Sequence, residues 1–205
     1  MAAAFDATFL MPLLRPEVGF PLDSAGQPIE KAKERLAFLV EGLERSATKI
    51  IIPTPALSEI LVRAGTTGSQ KIIETLDKSR VFKIEPFDTL SAIEVAAMTR
   101  EALDEGDKRT GLQATWAKVK YDRQIVAIAK VHGASVIYSD DSDVATLGTK
   151  AGLQVIGFAE LPLPPEDPQA ELFKDTENAE SDDASDDIET EGAREAEFEG
   201  DTPEV

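Results

Sequence analysis

The sequence predicts a three-layer α/β/α domain built on a mostly parallel central sheet. Short Val/Ile-rich runs alternate with longer segments of helical periodicity. Runs such as "KIIIP" and "SVIYS" are apolar at successive positions, as strands covered on both faces are. Several helical segments close on a glycine, at Gly65, Gly106 and Gly133, where the chain must turn back.

Taken in order, "AAAFD" reads as a short first strand that ends on an acid, and a helix is expected from near Phe9. "RPEVGFPLDSAGQP" has the Pro and Gly density of a loop. "IEKAKERLAFLVEGLERS" sets Leu36, Leu39, Val40 and Leu43 at helical spacing. "TKIIIP" is a buried strand. "TPALSEILVRAG" starts a helix with Thr54 as N-cap and Pro55 at the first helical position, and Gly65 stops it. "SQKIIETLDKS" is helical and "RVFKIEPF" is a strand. "TLSAIEVAAMTREALDEG" and "TWAKVKYDRQIVAIAKVHG" are helices, "SVIYS" a strand, "SDVATLGTKAG" a helix and "LQVIGF" a last strand.

Composition bounds the chemistry. The 205 residues are 42% hydrophobic, enough for one domain with a sizeable core. There is no cysteine, which excludes disulfides and thiolate metal sites, and the single histidine, His132, excludes any site with two His ligands. No segment reaches the ~18 apolar residues of a membrane span. The start "MAAAFDATFLMPLL" lacks a basic leader and carries Asp6 in its apolar run, so a cytoplasmic protein is expected, with no membrane partner.

The net charge of -18 is unevenly placed. Residues 165–205 hold 17 acids against Lys174 and Arg194, a net of -15, which leaves residues 1–164 with 22 acids and 19 bases, a net of -3. The expected organisation is therefore a folded domain over 1–164 and an acidic tail over 165–205. The tail has too few apolar residues to offset its ordering entropy, and disorder is expected from about residue 166. Its charge says little about what the folded part binds.

In open parallel sheets, ligands bind beyond the carboxyl ends of the strands. Asp6 ends the first strand, and Asp140 and Asp141 follow "SVIYS". Glu59 lies in the second turn of the helix leaving "KIIIP". Asp122 shares a helical face with Val126 and Ala129, an acid on a stripe that otherwise reads as core. Carboxylates gathered in one place repel one another unless a cation joins them. Asp6, Glu59, Asp122 and Asp141 are thus expected to meet in one pocket as catalytic and metal-binding groups, with Asp143 at its lip. Ligation by oxygen alone selects hard cations, Mg²⁺ or Mn²⁺. One or two such ions acidify water and clamp a phosphodiester. Thr8 and Ser139 are hydroxyls placed to orient the acids.

Three stretches, "FDATFL", "IPTPALSEIL" and "YDRQIVAIAKVHGASVIYSDDSDV", resemble the PIN-domain ribonucleases, including the VapC-type toxins of bacterial toxin–antitoxin pairs. The likeness runs from about residue 4 to 163. It rests on Asp6 with Thr8, Thr54 with Glu59, Asp122 opening an Ala-rich helix, and Ser139, Asp141 and Asp143 in order. Ser139 stands where Thr is commoner, the segment from Arg15 to Lys31 is an enlarged loop, and the acidic tail is outside the pattern. The resemblance implies Mg²⁺- or Mn²⁺-dependent cleavage of single-stranded RNA, a homodimer and, in the toxin branch, an antitoxin that blocks the site. Arg63, Lys118, Lys120, Arg123 and Lys130 surround the acids and are expected to hold RNA phosphates, structured RNA included, while Trp116 offers a stacking surface.

Structural readings compete at each position: Asp6 as a turn or cap residue, Glu59 as a solvated helix residue, "SDDSD" as a capping loop, Trp116 as packing, and His132 as a helix C-terminal residue favoured by the dipole. Two other functions also compete. One is a non-catalytic RNA or protein binding module on the same fold. The other is a haloacid-dehalogenase-like phosphatase, echoed by "DSDVAT". Ala145 stands where that motif wants Thr or Val, and too little chain follows for its fold.

Overall fold

The structure is a computed structural model and describes residues 2–165. The expectation of a disordered tail from residue 166 lies outside the described residues. Five strands form one sheet in the order β3-β2-β1-β4-β5: β1 (Ala2–Phe5), β2 (Lys49–Pro53), β3 (Phe82–Glu85), β4 (Ala134–Tyr138) and β5 (Gln154–Ile156). Every pairing is parallel, with Ala3 opposite Ile50, Ile50 opposite Phe82, Ala4 opposite Ile137 and Ile137 opposite Val155. All five strands therefore end at the same edge. Six α-helices complete the three layers: α1 (Ala7–Leu14), α2 (Ala32–Arg45), α3 (Thr54–Lys78), α4 (Thr89–Asp104), α5 (Trp116–Val131) and α6 (Ser142–Lys150).

Alternation along each strand feeds two cores. Ala3, Phe5, Ile50, Ile52 and Tyr138 pack with Phe9 and Leu10 of α1, Leu36 of α2, and Ile60, Ile72 and Leu76 of α3. Ala4, Ile51 and Ile137 face the other way, onto Val119, Val126 and Ala129 of α5 and Val144 and Leu147 of α6. Ile50, Ile51 and Ile52 are at most 2% exposed, and burial of each contributes about 1.5–3 kcal/mol. These central strands form the rigid base under the edge where the acids gather.

The element boundaries differ from expectation in three places. α1 starts at Ala7, directly after Asp6, rather than near Phe9. The run from Ala2 to Thr8 is apolar or small almost throughout, so no periodicity marks where strand gives way to helix. α2 begins at Ala32, after Lys31 in the left-handed region. Thr54 is the first residue of α3, whereas Pro53 holds the N-cap position without a side-chain bond. The strand passes straight into the helix there, because Pro53 still pairs with Glu85. Gly65 does break the helical backbone as expected, at φ 66° and ψ 179°, so α3 is two helices joined across a kink, the second running on to Lys78.

Among the described residues, no helix is long and apolar enough to cross a membrane.

Candidate functional site

The carboxyl edge of the sheet opens into a pocket of about 500 Å³. Its walls carry Asp6, Thr8, Glu59, Arg63, Lys118, Asp122 and Asp141. A segment of the Arg15–Lys31 loop, from Val18 to Pro21, lines one side. That loop is pinned by aromatic contacts: Phe20 meets Phe158 edge-on at 5.8 Å, and Phe158 stacks on Phe9 of α1 at 4.0 Å. Sequence reading identified the loop but not that it forms a wall.

Asp6 is 4% exposed. It stands at the N-cap position of α1 in extended backbone, yet its side chain makes no capping bond. Instead Oδ2 accepts a hydrogen bond from Ser139 Oγ at 2.9 Å. Burial raises the carboxyl to about 6, against the opposing pull of the Ala7 N–H and the Ser139 hydroxyl, and the charges of Asp141 and Glu59 push it the same way as burial. Ser139 Oγ also accepts from the Asp141 N–H at 3.1 Å, so one buried hydroxyl ties two of the acids together. Thr8 acts on the loop: its Oγ1 accepts from the Asp140 N–H at 3.0 Å. Asp140 turns away from the pocket and accepts the Phe158 N–H through Oδ1 at 3.0 Å.

Asp122, Asp141 and Asp143 form the tightest acidic group, with one oxygen of each lying within 4.8 Å of the others. Asp143 belongs to this group while lying outside the residues that line the pocket, as a residue at its lip would, whereas Asp6 and Glu59 line the pocket and stand outside the group. Asp141 divides its work. Oδ1 accepts from the Asp143 and Val144 N–H groups and so caps α6, at 2.8 and 3.3 Å. Oδ2 accepts from Lys118 Nζ at 3.0 Å, and the same ammonium reaches Oδ1 at 3.3 Å. Asp141 therefore caps α6, as the capping reading of "SDDSD" expected, and the same residue lines the pocket. Burial raises the Asp122 carboxyl, partly offset by Lys118.

Lys118 supplies the cation that the clustered carboxylates require. Its Nζ donates to Asp143 Oδ2 at 2.7 Å, Asp122 Oδ2 at 2.8 Å and Asp141 Oδ2 at 3.0 Å. Burial alone would lower its pKa, but the three carboxylates outweigh burial and hold the ammonium above its ordinary value. Lys118 was expected to meet RNA phosphates, and the structure turns it onto the acids. One sequence signal was available: Lys118 lies one helical turn before Asp122, at a spacing that pairs side chains.

The other predicted bases divide. Arg63 lines the pocket and donates to Glu59 Oε1 at 2.8 Å, the two side chains being 59% and 40% exposed. Lys120 is exposed, and its Nζ lies 5.8 Å from the Trp116 ring centroid. Lys108, which the sequence did not single out, approaches the same ring to 5.5 Å. Arg123 does not join a phosphate-binding surface. It is 1% exposed and donates to Thr99 Oγ1, Lys108 O and Thr110 Oγ1, tying α5 to α4 and the segment that follows it. Helical phase explains this: Arg123 follows Asp122 by one position, about 100° round the helix, which faces it toward α4. Lys130 likewise pairs with Glu94 of α4 at 2.7 Å, two turns beyond Asp122.

Tyr121 was missed altogether. Its Oη donates to Pro55 O at 2.6 Å and lies 2.6 Å from Ser58 Oγ. These bonds fix α5 against the start of α3, beside Asp122 on one helix and Glu59 on the other. His132 is the C-cap of α5, with Nδ1 3.4 Å from Glu85 Oε2.

No family model and no curated protein matches the chain. Among solved structures, a chain of the VapBC2 complex from Rickettsia felis, bound to a DNA fragment from the promoter, is similar at a TM-score of 0.51 and 13% identity. The match covers 77% of this chain and 98% of that one. A chain of the DNA-bound VapBC complex from Salmonella typhimurium gives a TM-score of 0.47 at 15% identity, over 77% and 98% of the two chains. At such identities the first likeness is one of fold. The parallel five-stranded sheet with its flanking helices is the PIN-like α/β architecture, as the sequence motifs led us to expect.

Proposed function

We propose that this chain is a Mg²⁺- or Mn²⁺-dependent endoribonuclease acting on single-stranded RNA, with the acid-lined pocket as its active site. The observation that carries the reading is the convergence of Asp122, Asp141 and Asp143, with Asp6 and Glu59 on the walls of the adjoining pocket. The donor set suits a hard cation: every candidate ligand atom is a carboxylate oxygen. The place also suits positive charge, since an ammonium sits among the three aspartates. When bound, Mg²⁺ or Mn²⁺ acidifies water and neutralises charge on a phosphodiester.

The chain's own groups take the remaining roles. Asp122, Asp141 and Asp143 would hold the ion, with Asp6 and Glu59 completing the acidic surface. Asp6, anchored through Oδ2 by Ser139 and with its carboxyl near 6, is suited to accept a proton from an incoming water at neutral pH. Arg63 at the pocket wall offers a guanidinium to a phosphate. Lys120 and Lys108 beside Trp116 offer charge and a stacking face to a single strand. The likeness in fold to a chain of a VapBC complex supports a toxin role with an antitoxin as partner, and the homodimer is what the sequence resemblance implies.

A non-catalytic binding module on the same fold has one observation in its favour, which is that Lys118 already satisfies the three aspartates. One experiment separates the two readings. A labelled single-stranded RNA pool is incubated with the protein in Mn²⁺, in EDTA, and with Asp6→Asn and Asp141→Asn. The nuclease reading expects cutting that needs the metal, with each substitution lowering the rate at least about a hundredfold. A folded protein that binds Mn²⁺ and leaves the RNA intact would support the binding module instead.

A further inference from the structure

Lys118 Nζ lies within 3.0 Å of Asp122, Asp141 and Asp143, the three carboxylates closest to one another in the described structure. No other base touches this group among the described residues. The remaining basic residue on the pocket wall, Arg63, is engaged with Glu59. An ammonium held by three oxygens at 2.7–3.0 Å occupies the position a divalent ion would need.

We infer that Lys118 is an internal counter-ion that competes with the divalent cation for the aspartate triad and thereby sets the metal affinity of the site. The inference rests on the metal-centre reading above and adds to it. In the metal-free protein the ammonium relieves the repulsion among the aspartates and keeps them gathered. A divalent ion can take its place only as Lys118 swings out, and the side chain has a route, being 41% exposed. Ion pairs this exposed are screened, so the hold is moderate and the competition reversible. The apparent metal affinity is reduced by the fraction of molecules in which Lys118 is out. An internal competitor of this kind would keep the site unloaded when the metal is scarce.

The test is Mn²⁺ binding to the full chain without RNA, followed by electron paramagnetic resonance of the free ion. Lys118→Met keeps an unbranched side chain, one atom shorter, and removes its charge. It is expected to bind Mn²⁺ about tenfold more tightly than the wild type. Lys118→Arg should retain the weaker wild-type affinity. Lys71→Met, the same change of charge at an exposed position of α3, should leave it unchanged. Equal affinity in wild type and Lys118→Met, or an equal gain from Lys71→Met, overturns the competition while leaving the metal centre standing. Binding by none of the proteins removes both. A second measurement needs no variant: amine acetylation of the wild type, read by peptide mass spectrometry, should rise at Lys118 when Mg²⁺ is added and stay level at the other lysines. Acetylation of Lys118 that ignores Mg²⁺ under conditions where Mn²⁺ binding is measured also overturns the inference.

Discussion

Asp141 and Asp6 make different demands on the fold, and two predictions separate them. Asn is as good an N-cap as Asp, so Asp141→Asn should keep the cap of α6 and most of the stability. Asp141→Ala should lose the cap and cost about 1–2 kcal/mol in urea unfolding. Both should lose metal-dependent cutting, and if Asn and Ala cost the same stability, the cap assigned to Asp141 is wrong. Asp6 works against stability. Its carboxyl is raised by burial from 3.8 to about 6, so between those values the folded state binds more protons than the unfolded state. Stability therefore falls as pH rises through this window, and ionised Asp6 costs the metal-free protein about 2–3 kcal/mol above pH 6. In EDTA, Asp6→Asn should melt higher than wild type at pH 7.5, with the advantage fading towards pH 4. An advantage of the same size at both pH values would rule out this origin. The acids could be read from the sequence because each interrupts an apolar pattern or ends a strand. The role of Lys118 could not, since only its turn-by-turn pairing with Asp122 is local and its contacts with Asp141 and Asp143 span more than twenty residues.

Among the elements, α3 carries Glu59 and α5 carries Lys118 and Asp122, and the junction of these two helices is held by polar bonds. Tyr121→Phe removes the donor to Pro55 O and the contact with Ser58. We expect a loss of about 1 kcal/mol and a fall in cutting, because Asp122 and Glu59 sit beside the broken bonds. Full activity in this variant would mean that the junction does not position the acids. The break in α3 at Gly65 lies where φ is 66° and ψ 179°, a region almost closed to residues with a Cβ. A Cβ there would meet no neighbouring atom within 4 Å, so the strain is purely conformational. Gly65→Ala should cost about 1–3 kcal/mol in urea unfolding, and a neutral result would show that the backbone can relax into a continuous helix. Glycine stops and strand runs were legible because they are local chemistry. The start of α1 was not, since strand and helix share one apolar run, and the polar ties of Tyr121 were invisible because their partners lie on another helix.

For the molecule as a whole, the proposed metal binding would be linked to folding. The gathered carboxylates exist only in the folded chain, so Mn²⁺ should bind it far better than the unfolded chain. At metal a hundredfold above its dissociation constant the gain is about 2.7 kcal/mol. The melting temperature should rise by about 5–10 °C and return to its starting value in EDTA. The parallel order of the strands, which brings every strand end to one edge, is what the alternation in the sequence encoded most fully. Which acids would come closest was not encoded locally, and Asp143 entered the tight group through the turn that caps α6.

The aspartates at this edge are proposed to form a centre for a divalent cation. Crystals grown in Mn²⁺ and measured for anomalous scattering test this proposal directly. An anomalous peak is expected between Asp122, Asp141 and Asp143, with the Lys118 side chain moved out of that position. Well-ordered aspartates with no peak among them, and Lys118 still bonded to all three, would contradict it.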